Sequence, residues 1–189
     1  MSEFEIFIQP TPNPNALKFI LEKIIKTDGK STYKTLNECE HNPMAKKLFD
    51  LRGVDQLLFY QNVITVSKFN FANWEELEPQ IVKTIEDSMD SHDPDFLDPV
   101  AVAETQNRDH LSPEIQNIES ILDKSIRPGL QGDGGDIQVV DYKDNVLVVK
   151  YQGACGTCPS SPAGTLQAIT GILKDQFNPE IQVYIAPEY

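Results

Sequence analysis

Two thiols three positions apart are the residues best equipped for chemistry in this sequence. They lie in the stretch Gly153-Ala154-Cys155-Gly156-Thr157-Cys158-Pro159-Ser160-Ser161-Pro162. Thiolates are the soft ligands preferred by iron-sulfur clusters, zinc and copper(I), and a CxxC loop lets both sulfurs face one metal site. The spacing alone does not choose among those metals. Gly153 and Gly156 flank the first sulfur and carry no Cβ, so backbone can approach bound sulfide closely. Ser161-Pro162 reads as an N-cap followed by the first residue of a helix, whose positive end near the thiols favours the thiolate. The third cysteine, Cys39, sits between Glu38 and Glu40. Adjacent carboxylates disfavour its thiolate, so it is a poor ligand and a poor nucleophile. His41, His92 and His110 have no zinc-motif spacing and are expected at the surface.

The elements that must position the cysteines follow from hydrophobic period and punctuation. Ser112-Pro113-Glu114 opens a helix whose Ile115, Ile118, Ile121, Leu122 and Ile126 share a face. Leu130-Gln131-Gly132-Asp133-Gly134-Gly135-Asp136 then reads as a turn with freedom for positive φ. It lacks a lysine and precedes a strand, so it is not a phosphate-cradling loop. Strands are expected over 137–142 and 146–151, turning at Lys143-Asp144-Asn145. After the CxxC stretch come a helix carrying Leu166, Ile169, Leu173 and Phe177, and a strand over 181–185. This half is thus α-β-β-α-β with a small mixed sheet.

The first half shows two alternating stretches, Phe4, Ile6, Ile8 and Leu17, Phe19, Leu21, read as strands joined by the stiff Gln9-Pro10-Thr11-Pro12-Asn13-Pro14-Asn15 loop. Residues 27–42 lack a period and read as irregular. Asn42-Pro43 starts a short helix with Met44, Leu48 and Leu51 inward, ended by Gly53. Strands over 54–60 and 63–68 flank a turn at Gln61-Asn62. From Asn73 an amphipathic helix carries Leu77, Ile81, Ile85 and Met89, with Pro79 either kinking it or delaying its start to about Glu78. The fold class is therefore α+β, with two small sandwich-type domains, 1–90 and 112–189. They are joined by 91–111, an acidic stretch read as a solvated linker.

The 189 residues are 40% hydrophobic and 24% charged, an ordinary globular balance. Twenty-nine Asp and Glu against 16 Lys and Arg give a net charge of -13, which repels phosphate backbones and anionic lipid. Nucleic acid and membrane are accordingly not expected as partners. The acidic start Met1-Ser2-Glu3-Phe4 has no basic leader, so the cytoplasm is the expected compartment. Three cysteines make no disulfide framework, and in a reducing compartment CxxC points to metal or redox chemistry.

With these elements placed, the chain resembles the Nfu-type iron-sulfur cluster scaffold proteins, named for the C-terminal domain of NifU. Gly132-Asp133-Gly134-Gly135-Asp136 and Gly153-Ala154-Cys155-Gly156-Thr157-Cys158-Pro159-Ser160-Ser161, in that order, resemble that family's two signature stretches. Thr11-Pro12-Asn13-Pro14 ahead of Leu17-Lys18-Phe19 resembles its separate N-terminal domain. The resemblance implies a cluster, usually four-iron four-sulfur, bridged between two subunits by Cys155 and Cys158, with two-iron two-sulfur as the alternative. It implies a homodimer when loaded, upstream cluster assembly machinery as donor, apo iron-sulfur proteins as recipients, and a carrier instead of an enzyme, with no catalytic residue.

The residues themselves agree with the arithmetic, since a cluster takes four thiolates and one chain offers two well-placed ones. Two other readings use the same cysteines. A dimeric structural zinc site would satisfy four sulfurs equally. A thioredoxin-like dithiol would also place CxxC between a strand and a helix, although the elements here are too few for that fold. The first domain holds no ligand set and is expected to help select recipients through its acidic tether.

Overall fold

The structure, a computed structural model, describes residues 4–99, 112–156 and 162–186. Its first half builds one antiparallel sheet from β1 (Ile6–Pro10), β2 (Ala16–Leu21), β3 (Lys26–Tyr33), β4 (Val54–Gln61) and β5 (Val63–Lys68), in the order β1-β2-β5-β4-β3. Alternation decides what each face meets. Phe19, Leu57, Phe59, Ile64 and Val66 turn to one side, where α1 (Pro43–Phe49) and α2 (Trp74–Met89) cover them. The expected stripe of α2 is buried throughout at Leu77, Ile81, Ile85 and Met89. Fully burying such a side chain contributes about 1.5–3 kcal/mol. Ile81→Ala should therefore lower the first domain's stability by about 2–5 kcal/mol, read from its urea midpoint.

Local chemistry sets the helix ends. Asn42 caps α1 by accepting from the Ala45 amide, with Pro43 at the first position, as the sequence predicts. Asn73 caps α2 by accepting from the Glu75 amide. The helix starts at Trp74 and runs through Pro79, so the later start is not adopted. Pro79 lies on the exposed side, where water can reach the carbonyl that loses its helical donor.

Two stretches depart from expectation. Residues 27–42, read as irregular, contain the strand β3, which pairs with β4 and shifts register between Lys26 and Lys30, where Gly29 takes φ 70°. Part of the expected linker also packs down. Phe96 is buried edge-on against Phe59, the Pro94 carbonyl accepts from the Thr27 amide, and Lys26 donates to the Phe96 carbonyl. An aromatic seven residues beyond the end of α2 outweighs the acidic composition around it.

The second half contains α3 (Pro113–Ser125), a short α4 (Arg127–Gly132), β6 (Gly135–Lys143), β7 (Val146–Gly153), α5 (Pro162–Gln176) and β8 (Gln182–Ile185). β6 and β7 pair antiparallel through a turn with Asp144 and Asn145 at φ 51° and 64°, and β8 joins β7 in parallel, giving the expected mixed sheet. Ile118 and Leu122 of α3 and Ile169 and Leu173 of α5 pack on Ile137, Leu147 and Val149. The difference from expectation is α4, which takes up Leu130 to Gly132 before the chain turns. Among the described residues no helix is long and apolar enough to cross a membrane.

Candidate metal centre

Cys155 lies in the turn that leaves β7, buried at 7% exposure among the residues of the second core. The turn is fixed by its own amides: Ala154 N–H donates to the Gly134 carbonyl at 3.0 Å and Gly156 N–H to the Gly153 carbonyl at 3.0 Å. Cys158, the second expected ligand, and Ser161, the expected N-cap, lie outside the described residues. Pro162 starts α5, as expected.

The GDGGD stretch and the cysteine loop are one construction. Gly135 pairs with Gly153 across β6 and β7. A Cβ on Gly135 would stand 2.3 Å from Cys155 Sγ and 2.9 Å from the Cys155 backbone nitrogen. The thiol therefore lies against the bare Cα of Gly135. Gly153 itself takes φ 61°, and a side chain there would meet the Gly134 carbonyl at 2.6 Å. The sequence reads Gly135 as turn freedom and Gly153 as room for backbone to approach bound sulfide; at Gly135 the requirement is space for sulfur.

Asp136 anchors the same turn. Its carboxylate accepts from Gln131 and faces Arg127 Nε at 3.4 Å. Arg127 is buried, donates to the Ile137 carbonyl, and forms ion pairs with Glu119 and Asp123. Burial alone would lower the guanidinium pKa, and the carboxylates of Glu119 and Asp123 outweigh it and raise it. The Tyr151 hydroxyl, buried four residues before Cys155, has no hydrogen-bond partner among the described residues. Burial first, and then the nearby Cys155, push its pKa up to about 12.

Cys39 is placed elsewhere, fully buried in the first core, where its thiol donates to the Thr35 carbonyl at 3.5 Å. Its pKa is pushed up to about 12, by burial foremost and then by Glu38 and Asp98, so burial and not its acidic neighbours leads. His41 and His92 are half-buried instead of exposed. His41 Nε2 lies 3.3 Å from the Tyr33 hydroxyl, and His92 Nε2 lies 2.8 Å from the Ile25 carbonyl. His110 is outside the described residues. Among the described residues no group of three or more His, Cys, Asp or Glu is placed to hold a metal ion.

The first domain reaches the cysteine loop, which the sequence did not disclose. Asn13 Nδ2 donates to the Ala154 carbonyl at 2.8 Å. The proline-rich loop holds Asn13 in place, since Thr11 Oγ1 accepts from the Asn13 amide and the Asn13 carboxamide oxygen accepts from the Asn15 amide. An asparagine between two prolines is the available signal, within a loop whose composition reads as a stiff connector.

Comparison with known proteins decides the family. Residues 6–92 match the family described as "Scaffold protein Nfu/NifU N terminal", and residues 118–184 match the "NifU-like domain". The chain belongs to the NifU-like scaffold family. It is 33% identical over 180 residues to a NifU-like protein of Schizosaccharomyces pombe, covering 92% of this chain and 69% of that one. It is 34% identical over 178 residues to the "NFU1 iron-sulfur cluster scaffold homolog, mitochondrial" of Drosophila persimilis, covering 92% of this chain and 62% of that one. A solved NifU-like protein from Saccharomyces cerevisiae covers 51% of this chain and 86% of its own at 24% identity, with a TM-score of 0.45. The NifU-like match ends at Tyr184, so it takes in the whole cysteine loop, and the Nfu-type match covers the sheet that contacts it.

Proposed function

We propose that this chain carries an iron-sulfur cluster, four-iron four-sulfur in preference to two-iron two-sulfur, held between two subunits by Cys155 and Cys158 and passed to apo iron-sulfur proteins. The observation that carries the reading is the fit of Gly135 against Cys155: the backbone is stripped of a side chain where the thiol sits. A cluster takes four thiolates, and Cys39 is unsuited to supply one, because it is sealed in the first core with its thiol pushed up to about 12. Two chains paired across their cysteine loops give the four. Here the cluster is cargo, the protein a carrier and not a catalyst, and upstream assembly machinery its donor. The cytoplasm is the proposed compartment, and imaging of the tagged protein checks it.

Anaerobic reconstitution with iron and sulfide tests the reading. We expect about two irons and two acid-labile sulfides per chain, visible charge-transfer absorption, and a shift from monomer to dimer in sedimentation. Cys155→Ser and Cys158→Ser should each lose the absorption, and Cys39→Ser should keep it. Uptake of zinc without sulfide would mean a structural zinc dimer. A reversible Cys155–Cys158 disulfide with reductase activity in a metal-free monomer would mean a dithiol enzyme.

A further inference from the structure

We infer that the outer face of the first domain's sheet is a docking surface for the second domain's cysteine loop, and that this docking and a cluster-bridged pairing of two chains are alternatives. The competition rests on the scaffold reading above; the docking does not.

The face away from α1 and α2 is laid out by register. Lys18 of β2 lies beside Thr65 of β5, which lies beside Leu58 and then Thr32; Ser67 lies beside Gln56, and Tyr60 beside Lys30. A free sheet face of this composition would be solvated, yet Lys18, Thr65, Ser67, Leu58 and Gln56 are all buried. What covers them is two turns of the second domain, Gly132 to Gly135 over Lys18 and Thr65 and the turn that holds Cys155 over Leu58 and Gln56. Leu58 Cδ2 lies 2.7 Å from where a Gly153 Cβ would stand, and Lys18 Cγ lies 2.9 Å from that of Gly134. Gln56 Oε1 lies 3.3 Å from that of Gly156. Lys30 pairs with Asp136 at 2.8 Å, Lys18 donates to the Gly132 carbonyl, and Asn13 donates to the Ala154 carbonyl. The glycines of both motifs therefore serve a second purpose, letting the loop lie flat on this sheet.

The same contact is poorly satisfied. Thr32 Oγ1, Gln56 Nε2 and Ser67 Oγ on the sheet, and Gln152 Oε1 at the end of β7, are buried without a hydrogen-bond partner among the described residues. Each such group is better satisfied in a hydrated state. The water lost at these groups works against the polar ties and favours opening. While docking persists, the first domain lies against the turn at Gly153, Ala154 and Gly156 and keeps a second chain from closing on that side. Opening restores water to the hydroxyls and uncovers the turn, from Gly153 to Gly156, that carries Cys155.

Alkylation of the apo protein by iodoacetamide, with Cys155 followed by peptide mass spectrometry, tests the docking without any cluster. The wild type and Lys30→Arg should react slowly. Lys30→Glu sets like charges opposite Asp136, and Asn13→Ala removes the tie to the loop; Lys30→Glu should speed modification roughly tenfold, Asn13→Ala severalfold, a tenfold change being about 1.4 kcal/mol in the docking equilibrium. A glutamate near a thiol would by itself slow alkylation, so acceleration reports opening. Unchanged circular dichroism melting of the variants excludes unfolding. Equal rates in all four folded proteins would overturn the docking. Reconstitution then separates the two halves: Lys30→Glu should take up its cluster faster than the wild type. A wild-type loading rate in a variant whose thiol is exposed, or no cluster in any protein, would overturn the competition and leave the docking standing.

Discussion

Gly135→Ala should abolish cluster loading as completely as Cys155→Ser, although it changes no ligand. The added Cβ would stand 2.3 Å from Cys155 Sγ, 2.8 Å from its Cβ and 2.9 Å from its backbone nitrogen. A thiol alone could rotate aside, but a backbone atom cannot, so the loop itself must move. The loop cannot move without breaking the Gly135 to Gly153 pairing and the Ala154 hydrogen bond to the Gly134 carbonyl. Overpacking of this kind costs about 1–3 kcal/mol or more. The unfolding midpoint of the second domain should therefore fall along with the loss of visible absorption. Gly171, inside α5 with nothing within 4 Å of its Cβ position, provides the control. Gly171→Ala should load normally and gain up to about 1 kcal/mol from helix propensity. Normal loading by the Gly135→Ala protein would show that the two glycine-containing motifs are not coupled through the thiol.

What the sequence disclosed and what it hid divide along physical lines. The stripe at Leu77, Ile81, Ile85 and Met89, the caps at Asn42, Asn73 and Ser112, and the strands on either side of Asp144-Asn145 were all legible. Each is written in local chemistry or in a contrast between a wet face and a dry one. β3 was not legible, because Lys26-Thr27-Asp28-Gly29-Lys30-Ser31-Thr32-Tyr33 has no such contrast. Its outer face meets the other domain through Lys30, a polar group that reads as solvent-facing. Phe96 was missed for the opposite reason, being a single aromatic whose partners, Phe59 and His92, come from a strand and a helix end. At the candidate centre the CxxC and GDGGD stretches stood out, but their mutual contact did not, since a glycine that makes room looks the same in sequence as one that turns.

Arg127→Ala should strongly destabilise the second domain. The guanidinium is buried and bonded to the Ile137 carbonyl, with Glu119, Asp123 and Asp136 around it from α3 and β6. Removing it leaves those acids facing one another, and Asp136 is 1% exposed and cannot turn to water. Breaking a buried pair by deleting one partner costs about 3–5 kcal/mol, mostly from the charge left behind. An exposed pair behaves differently. Lys46 and Glu40, at 3.6 Å and largely in water, should lose no more than a few tenths of a kcal/mol on Lys46→Ala. Urea unfolding of the three proteins reads both numbers. Lys30 also pairs with Asp136, so the Arg127 and Lys30 substitutions share a partner and should not add. With Arg127 gone, Lys30 becomes the remaining cation beside Asp136 among the described residues, and Lys30→Glu in that background should cost more than Lys30→Glu alone. Additive losses would mean that Asp136 does not link the sheet of the first domain to the core of the second.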